Sequence, residues 1–248
     1  MNDVTISAIV LLTVFGGALL GMFLRSILPQ DHLGGDAKDT VRVGIGLVLT
    51  ITAMVLSLLI ASAKSYFDTQ SSELTDMAAK AAVLDRILAH YGPQANEARG
   101  ELREIVVRML DRMWSKQQGG GLPGPGTNEA LYDKLQGLSP QNDAQRSMQA
   151  QALSVSLALA QTRWLMYEQG AGGVATPLLL VMVFWLAIAF TSFGLFSPRN
   201  LTVAIGLFLC ALAASGAVFM ILEMYSPFTG LIHISDAPLR AALAHLSQ

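Results

Sequence analysis

The sequence predicts an all-α polytopic membrane protein, with four transmembrane helices and a helical extramembrane insert between the second and the third. Three observations carry that reading. Of 248 residues, 52% are apolar and only 14% charged, against about 25% charged in soluble domains. The apolar residues gather into four long stretches. About 110 residues between the second and third stretches hold 11 Lys/Arg and 12 Asp/Glu, most of the charge in the chain.

The first stretch, residues 5–24, has no Lys or Arg ahead of it and lacks the basic region and small-residue cleavage site of a signal peptide, so it reads as a retained span. Residues 43–63 are uncharged and cover about 31 Å at 1.5 Å per residue, close to the roughly 30 Å hydrocarbon core. Residues 177–196 and 201–222 are the third and fourth spans, joined by Ser197-Pro198-Arg199-Asn200 as a tight hairpin. Four spans put both termini on one side. In the insert, apolar residues recur at helical spacing as Leu74, Met77, Ala81, Leu84 and Leu88, then Leu102, Ile105, Met109 and Met113, then Met148, Leu153, Leu157, Ala160 and Trp164. At least three helices follow. The second span is expected to run on into the first of them as one rod ending at Tyr91-Gly92-Pro93, able to carry force from the outer domain to the membrane. The Gly/Pro tract at 119–126 reads as a flexible hairpin, and Leu239, Leu243 and Leu246 line one side of a short amphipathic C-terminal helix on the interface or under the bundle. The expected divisions are 1–66 for the first two spans, 67–170 for the helical domain, 171–231 for the last two spans and 232–248 for the C-terminal segment. Lys and Arg near the spans tie between the two sides. With no export signal ahead of it and a surface like that of an intracellular helical domain, the insert is placed in the cytoplasm.

Polar residues in the spans are the candidate functional ones. Gly46, Thr50, Ala53, Ser57, Ala61 and Lys64 are spaced by three or four, so small and hydroxyl side chains share one face of the second span. Such a stripe either lets helices pack closely or lines water. Thr50, Ser57 and Lys64 repeat at seven residues, and charges close the stripe, Arg42 at one end and Lys64 with Asp68 at the other. Repeated around a symmetry axis, it lines a pore. In the fourth span Thr202, Gly206, Ala213, Gly216, Met220 and Glu223 lie near one face. Glu223 is a carboxylate near the membrane boundary, costly unless paired or hydrated. It precedes Pro227 by four residues, so the missing proline N–H leaves the Glu223 carbonyl open. That break, with Ser226 and Thr229, offers oxygens to an ion or water; the bland alternative is that Glu223 reaches the interface or pairs with Lys64 or Arg163. Gly17-x-x-x-Gly21 is a close-packing motif, and Ala213 and Gly216 are expected to pack likewise.

Other chemistries find little support. Balanced charge, a net −2, argues against a nucleic-acid partner. The single cysteine, Cys210, excludes an intrachain disulfide and a cysteine metal site. An interfacial enzyme would have to use His32, Asp36 and Asp39 of the first loop, which show no recognised spacing; Asp39 reads instead as the cap of the second span. No enzyme, metal or cofactor is expected, and the partners are the bilayer, further copies of the chain and permeating ions.

Several segments together resemble the bestrophin-like domain family of bacterial and plant membrane proteins. They are Val41-Arg42-Val43-Gly44-Ile45-Gly46-Leu47, Ala61-Ser62-Ala63-Lys64 with Asp68 and Gln70, Leu84-Asp85-Arg86 with Tyr91-Gly92-Pro93, Arg163-Trp164, Phe184-Trp185, the run from Ser192 to Asn200, and Pro227-Phe228-Thr229-Gly230-Leu231-Ile232. The resemblance implies kinship with bestrophins, pentameric anion channels with four spans per subunit and a long second helix lining the pore. It therefore implies a homo-oligomeric channel in a bacterial plasma (inner) membrane; the charges are divided, Lys64 and Arg42 favouring anions and Glu223 and Asp68 cations, and the kinship tips the expectation to anions. One departure stands out: bestrophins narrow the pore with bulky side chains, where this stripe has Thr50, Ala53, Ser57 and Ala61. The other reading is a non-conducting membrane scaffold whose helical domain binds a partner and whose stripes only pack.

Overall fold

Between Gly46 and Gly92 the chain holds neither glycine nor proline, so nothing interrupts the backbone ladder and one helix runs from the second span into the insert. In the computed structural model, which describes residues 2–28, 35–114, 129–171 and 176–246, this helix is α2 (Gly35–Tyr91). It follows α1 (Asp3–Leu24). It ends at the expected turn, where Gly92 has φ 115°, a conformation open to glycine and strained for other residues. A short 3-10 turn (Pro93–Ala95) leads into α3 (Asn96–Met113), then come α4 (Glu129–Gln136), α5 (Asp143–Ala171), α6 (Thr176–Phe196), α7 (Leu201–Met224) and α8 (Ala237–Leu246). The described residues contain no strand. The Gly/Pro tract at 119–126 and His32 lie outside them.

Helices α1, α2, α6 and α7 are long and apolar enough to cross a membrane, and the chain is an integral membrane protein. Helix α2 starts at Gly35, well ahead of the uncharged run at 43, because no residue in between stops the ladder. Asp39 therefore lies inside the helix and does not cap it. The chain forms two compact units, Met1–Ser65 with Val174–Tyr225, and Tyr66–Gly173 with Ser226–Gln248.

In the first unit α1 packs on both α6 and α7. Against α6 the backbones nearly touch: an added Cβ on Gly21 would overlap the Thr191 carbonyl, one on Gly194 would overlap the Ala18 carbonyl, and one on Gly17 would stand 2.9 Å from the Ala187 oxygen. Lipid removes the hydrophobic drive between helices, so close dispersion contacts and interhelical hydrogen bonds must replace it. One such bond runs from Ser215 Oγ on α7 to the buried Ser7 carbonyl of α1, 2.6 Å. Arg199, in the α6–α7 hairpin, donates from Nε and Nη2 to the Met22 carbonyl at 3.1 and 2.9 Å, satisfying an acceptor in the last turn of α1. Helix α2 joins this core through Leu59 and Ala63, flanked by Val55 and Leu56. Ala213 and Gly216 do not pack as expected. They are exposed, and a Cβ on Gly216 would meet nothing within 4 Å, because α7 turns Ala211, Ser215, Val218 and Leu222 inward instead.

The second unit is a helical domain. Its core takes Leu74, Met77, Ala81, Leu84 and Leu88 from α2 and Leu102, Ile105, Met109 and Met113 from α3, as their spacing predicts, with Leu131 and Leu135 from α4. Helix α5 differs. Leu157 and Trp164 are 50% and 43% exposed, whereas Ala152, Ser156, Leu159, Arg163 and Met166 are buried. The inward stripe thus carries polar groups that apolar spacing passes over. A bidentate pair from Arg99 to Asp85, Nε to Oδ1 at 2.7 Å and Nη2 to Oδ2 at 3.1 Å, ties α3 to α2. The C-terminal segment is part of this core: Trp114 Nε1 donates to the Ile234 carbonyl at 2.9 Å and stacks edge-on against Phe228, and α8 packs on α3 through Leu239, Ala242 and Leu246.

Two measurements test these contacts. Gly21→Ala should cost about 1–3 kcal/mol through overpacking, read as a fall in melting temperature in detergent, while Gly16→Ala, where a Cβ meets nothing within 4 Å, should leave melting unchanged. Glu73 accepts a hydrogen bond from Gln169 at 3.0 Å, yet burial, with Asp76 nearby, raises its carboxyl above the ordinary value. The folded state then holds this proton more tightly than the unfolded one, so stability falls as pH rises through that window. Glu73→Gln should melt higher than wild type at pH 7 and converge with it towards pH 4.

Candidate functional site

At about 100° per residue, the membrane part of α2 has three faces. Ile45, Thr52, Leu59 and Ala63 are buried and form the core face. Leu47, Ile51, Met54 and Leu58 form an exposed apolar face. Between them run Gly46, Thr50, Ala53, Ser57, Ala61 and Lys64, all exposed. A Cβ on Gly44 or Gly46 would meet nothing within 4 Å. Of the most apolar window in α2 only 17% is buried, against 28–33% in the other spans. The stripe is thus not used to pack α2 against its own chain.

The hydroxyls on α2 are satisfied locally. Thr50 Oγ1 donates to the Gly46 carbonyl at 2.9 Å and Ser57 Oγ to the Ala53 carbonyl at 2.8 Å. Thr52, on the core face, makes the same bond to Val48 at 2.7 Å. Each hydroxyl proton is directed back along the helix, and the oxygen lone pairs of Thr50 and Ser57 face outward. Arg42 and Lys64 are exposed near the two ends of the stripe. Ser62, two residues before Lys64, has its hydroxyl 3.2 Å from that of Tyr225.

The second cluster from the sequence is divided. Helix α7 ends at Met224, so Pro227 follows the helix and does not break it. The carbonyls of Ser226 and Pro227 accept the N–H groups of Gly230 and Ile234 at 3.1 and 2.7 Å. Glu223 is buried, 4% exposed, and belongs to the first unit; Ser226, Thr229 and the exposed Asp68 belong to the second. Thr202, Gly206 and Met220 are exposed along α7. In the second unit Arg163 is buried, and desolvation pushes its guanidinium below the ordinary value. Among the described residues no group of three or more His, Cys, Asp or Glu is placed to hold a metal ion. Cys210 is exposed on α7.

The bestrophin-like domain profile matches residues 12–239. The chain belongs to the bestrophin-like family. No curated protein and no solved structure matches it. In this bestrophin-like chain several of the segments that carry the resemblance are structural. Asp85 holds Arg99, Gln70 donates to Gln169 at 3.1 Å, Gly92 makes the turn and Arg199 caps α1. Sequence spacing missed the Ser7–Ser215 bond and the buried Thr52, since nothing local distinguishes these hydroxyls from Thr50 and Ser57.

Cysteine labelling separates a wet stripe from a lipid-covered one. In a Cys210→Ser background of the bestrophin-like protein, Ser57→Cys and Thr50→Cys should react with a charged, membrane-impermeant thiosulfonate at least tenfold faster than Leu58→Cys on the apolar face.

Proposed function

We propose that this protein is a homo-oligomeric ion channel, in which α2 from each copy lines an axial pore with Gly46, Thr50, Ala53, Ser57, Ala61 and Lys64. The observation that carries this reading is the exposure of the whole stripe in the protomer, on the span least covered by its own chain. A hydroxyl stripe facing lipid gains nothing there, whereas facing water it replaces part of an ion's hydration. The stripe presents small side chains, so the pore relies on hydroxyl oxygens and on charge at its ends in place of a bulky constriction. Resemblance to bestrophins implies five copies around the axis, and the lack of any recognised catalytic spacing in the sequence argues against an enzyme.

Anions are the favoured cargo, for two reasons. Arg42 and Lys64 put positive charge near both ends of the stripe, and basic rings concentrate anions in a low-dielectric channel. An anion also draws the proton of Thr50 or Ser57 away from the helix carbonyl by rotation of the hydroxyl, at a cost near the roughly 1 kcal/mol net value of such a bond. A cation-selective channel is the second reading, favoured by the outward lone pairs in the resting geometry.

Current through purified protein in a planar bilayer under a KCl gradient tests both. The expected reversal potential lies near the chloride value, with a tenfold or greater loss of conductance in the Thr50→Leu/Ser57→Leu variant. Reversal near the potassium value would select the cation reading. Absence of current from folded, oligomeric protein, or unchanged conductance in the double variant, would reject the α2 pore and favour a scaffold.

A further inference from the structure

At the start of α2 the first unit has a cavity of about 340 Å³ lined by Lys38, Arg42 and Ile45 of α2, Ser192, Phe193 and Phe196 of α6, and the hairpin residues Ser197 and Pro198. We propose that this cavity binds the phosphate of an anionic membrane phospholipid, one per protomer.

Charge is the first reason. Lys38 and Arg42 are four residues apart, one turn or about 6 Å along the helix, so both cations reach the same volume. Among the described residues no carboxylate lines it, and none of the ion pairs among them includes either cation. The nearest acid along the helix, Asp39, is outside the lining. Arg199, the other cation of this hairpin, is held on the Met22 carbonyl. Two cations beside one concave volume, both outside those ion pairs, make a site for a phosphodiester, which accepts charge-assisted bonds from both.

The donors and walls sharpen the assignment. Ser192 gives its proton to the Ile188 carbonyl at 3.0 Å in the resting geometry, so Ser197 is the readier hydroxyl donor of the cavity. Ile45, Phe193 and Phe196 supply an apolar wall. Ile45 lies seven residues, about 10 Å, deeper along α2 than Lys38, and the uncharged run of the span begins at Val43. Cationic mouth and apolar depth are thus ordered along α2 as phosphate and acyl chain are ordered in a lipid. Basic pockets between spanning helices at this level recognise anionic headgroups. A soluble phosphate would use the cations and leave the apolar wall without a partner. The cavity itself does not depend on whether α2 lines a pore; where it does, a bound phosphate neutralises Arg42 and leaves Lys64 as the basic ring that concentrates anions.

Native mass spectrometry of the detergent-purified protein, with phosphatidylglycerol or phosphatidylcholine of identical acyl chains added, tests the proposal. The expected result is saturable retention of phosphatidylglycerol, at least tenfold above phosphatidylcholine at equal concentration. Lys38→Gln/Arg42→Gln should abolish that preference. Ser192→Leu, which keeps both charges but fills the cavity, should lower phosphatidylglycerol retention with the melting temperature unchanged. Equal retention of the two lipids by wild type, a result that needs no variant to fold, would overturn the proposal. So would an undiminished preference in the charge variant. Displacement of the lipid by equimolar inorganic phosphate would assign the cavity to a soluble anion and overturn the lipid.

Discussion

Backbone contact between α1 and α6 is the interaction on which the membrane unit depends. Gly17, Gly21 and Gly194 are each positions where even a methyl group meets the opposite backbone. In lipid this proximity replaces the hydrophobic effect, since hydrocarbon on either side of a helix surface is equally apolar. With α1 held to α6 in this way and to α7 through Ser215 and the Phe15–Phe208 edge contact, three spans satisfy one another. The fourth, α2, adds only one face to that core. Two-thirds of its circumference is left to other partners, and the hydroxyl stripe lies within that part.

A hydrogen bond from Ser or Thr to the carbonyl four residues back does not by itself mark a site. Thr13, Thr52, Thr191, Thr50 and Ser57 all make it. In hydrocarbon the bond is the cheapest way to satisfy a hydroxyl, so any span can carry one. Thr50 and Ser57 are set apart by register: they recur with Gly46, Ala53 and Lys64 on one uncovered face, whereas Thr52 is turned inward. Function in the span is therefore a matter of which face the core selects.

The spans, the unbroken α2 and the turn at Gly92 are legible because each follows from local chemistry: length of apolar run, absence of helix breakers, and a glycine followed by proline. The α2 and α3 stripes of the second unit are legible for the same reason, since Leu, Ile and Met mark one face at helical spacing. Helix α5 is not, because its inward face includes Ser156, Thr162 and Arg163 while Leu157 and Trp164 point away. Tertiary contacts choose that face, and polar groups on it are admitted only because partners far along the chain, such as Asp76 for Thr162 at 3.2 Å, receive them. Ala213 and Gly216 fail the same way: small residues permit close packing but do not say which helix arrives. Lys38 is read from the sequence only as one charge near a span, since Ser192, Phe193 and Ser197 lie more than 150 residues away.

The segments that identify the family and the stripe that suggests its activity place different demands on the chain. Asp85 must pair with Arg99, Gln70 must meet Gln169, Gly92 must take a positive φ, and Arg199 must reach Met22; each is a geometric requirement with few substitutes. A stripe that lines water asks only for side chains that are small, uncharged and hydroxylated at intervals. Its composition is therefore free to vary, while the contacts that hold the surrounding helices are not. Kinship recognised through the scaffold thus supports the architecture directly. The chemistry of the face that α2 leaves uncovered has to be argued from Thr50, Ser57, Arg42 and Lys64 themselves.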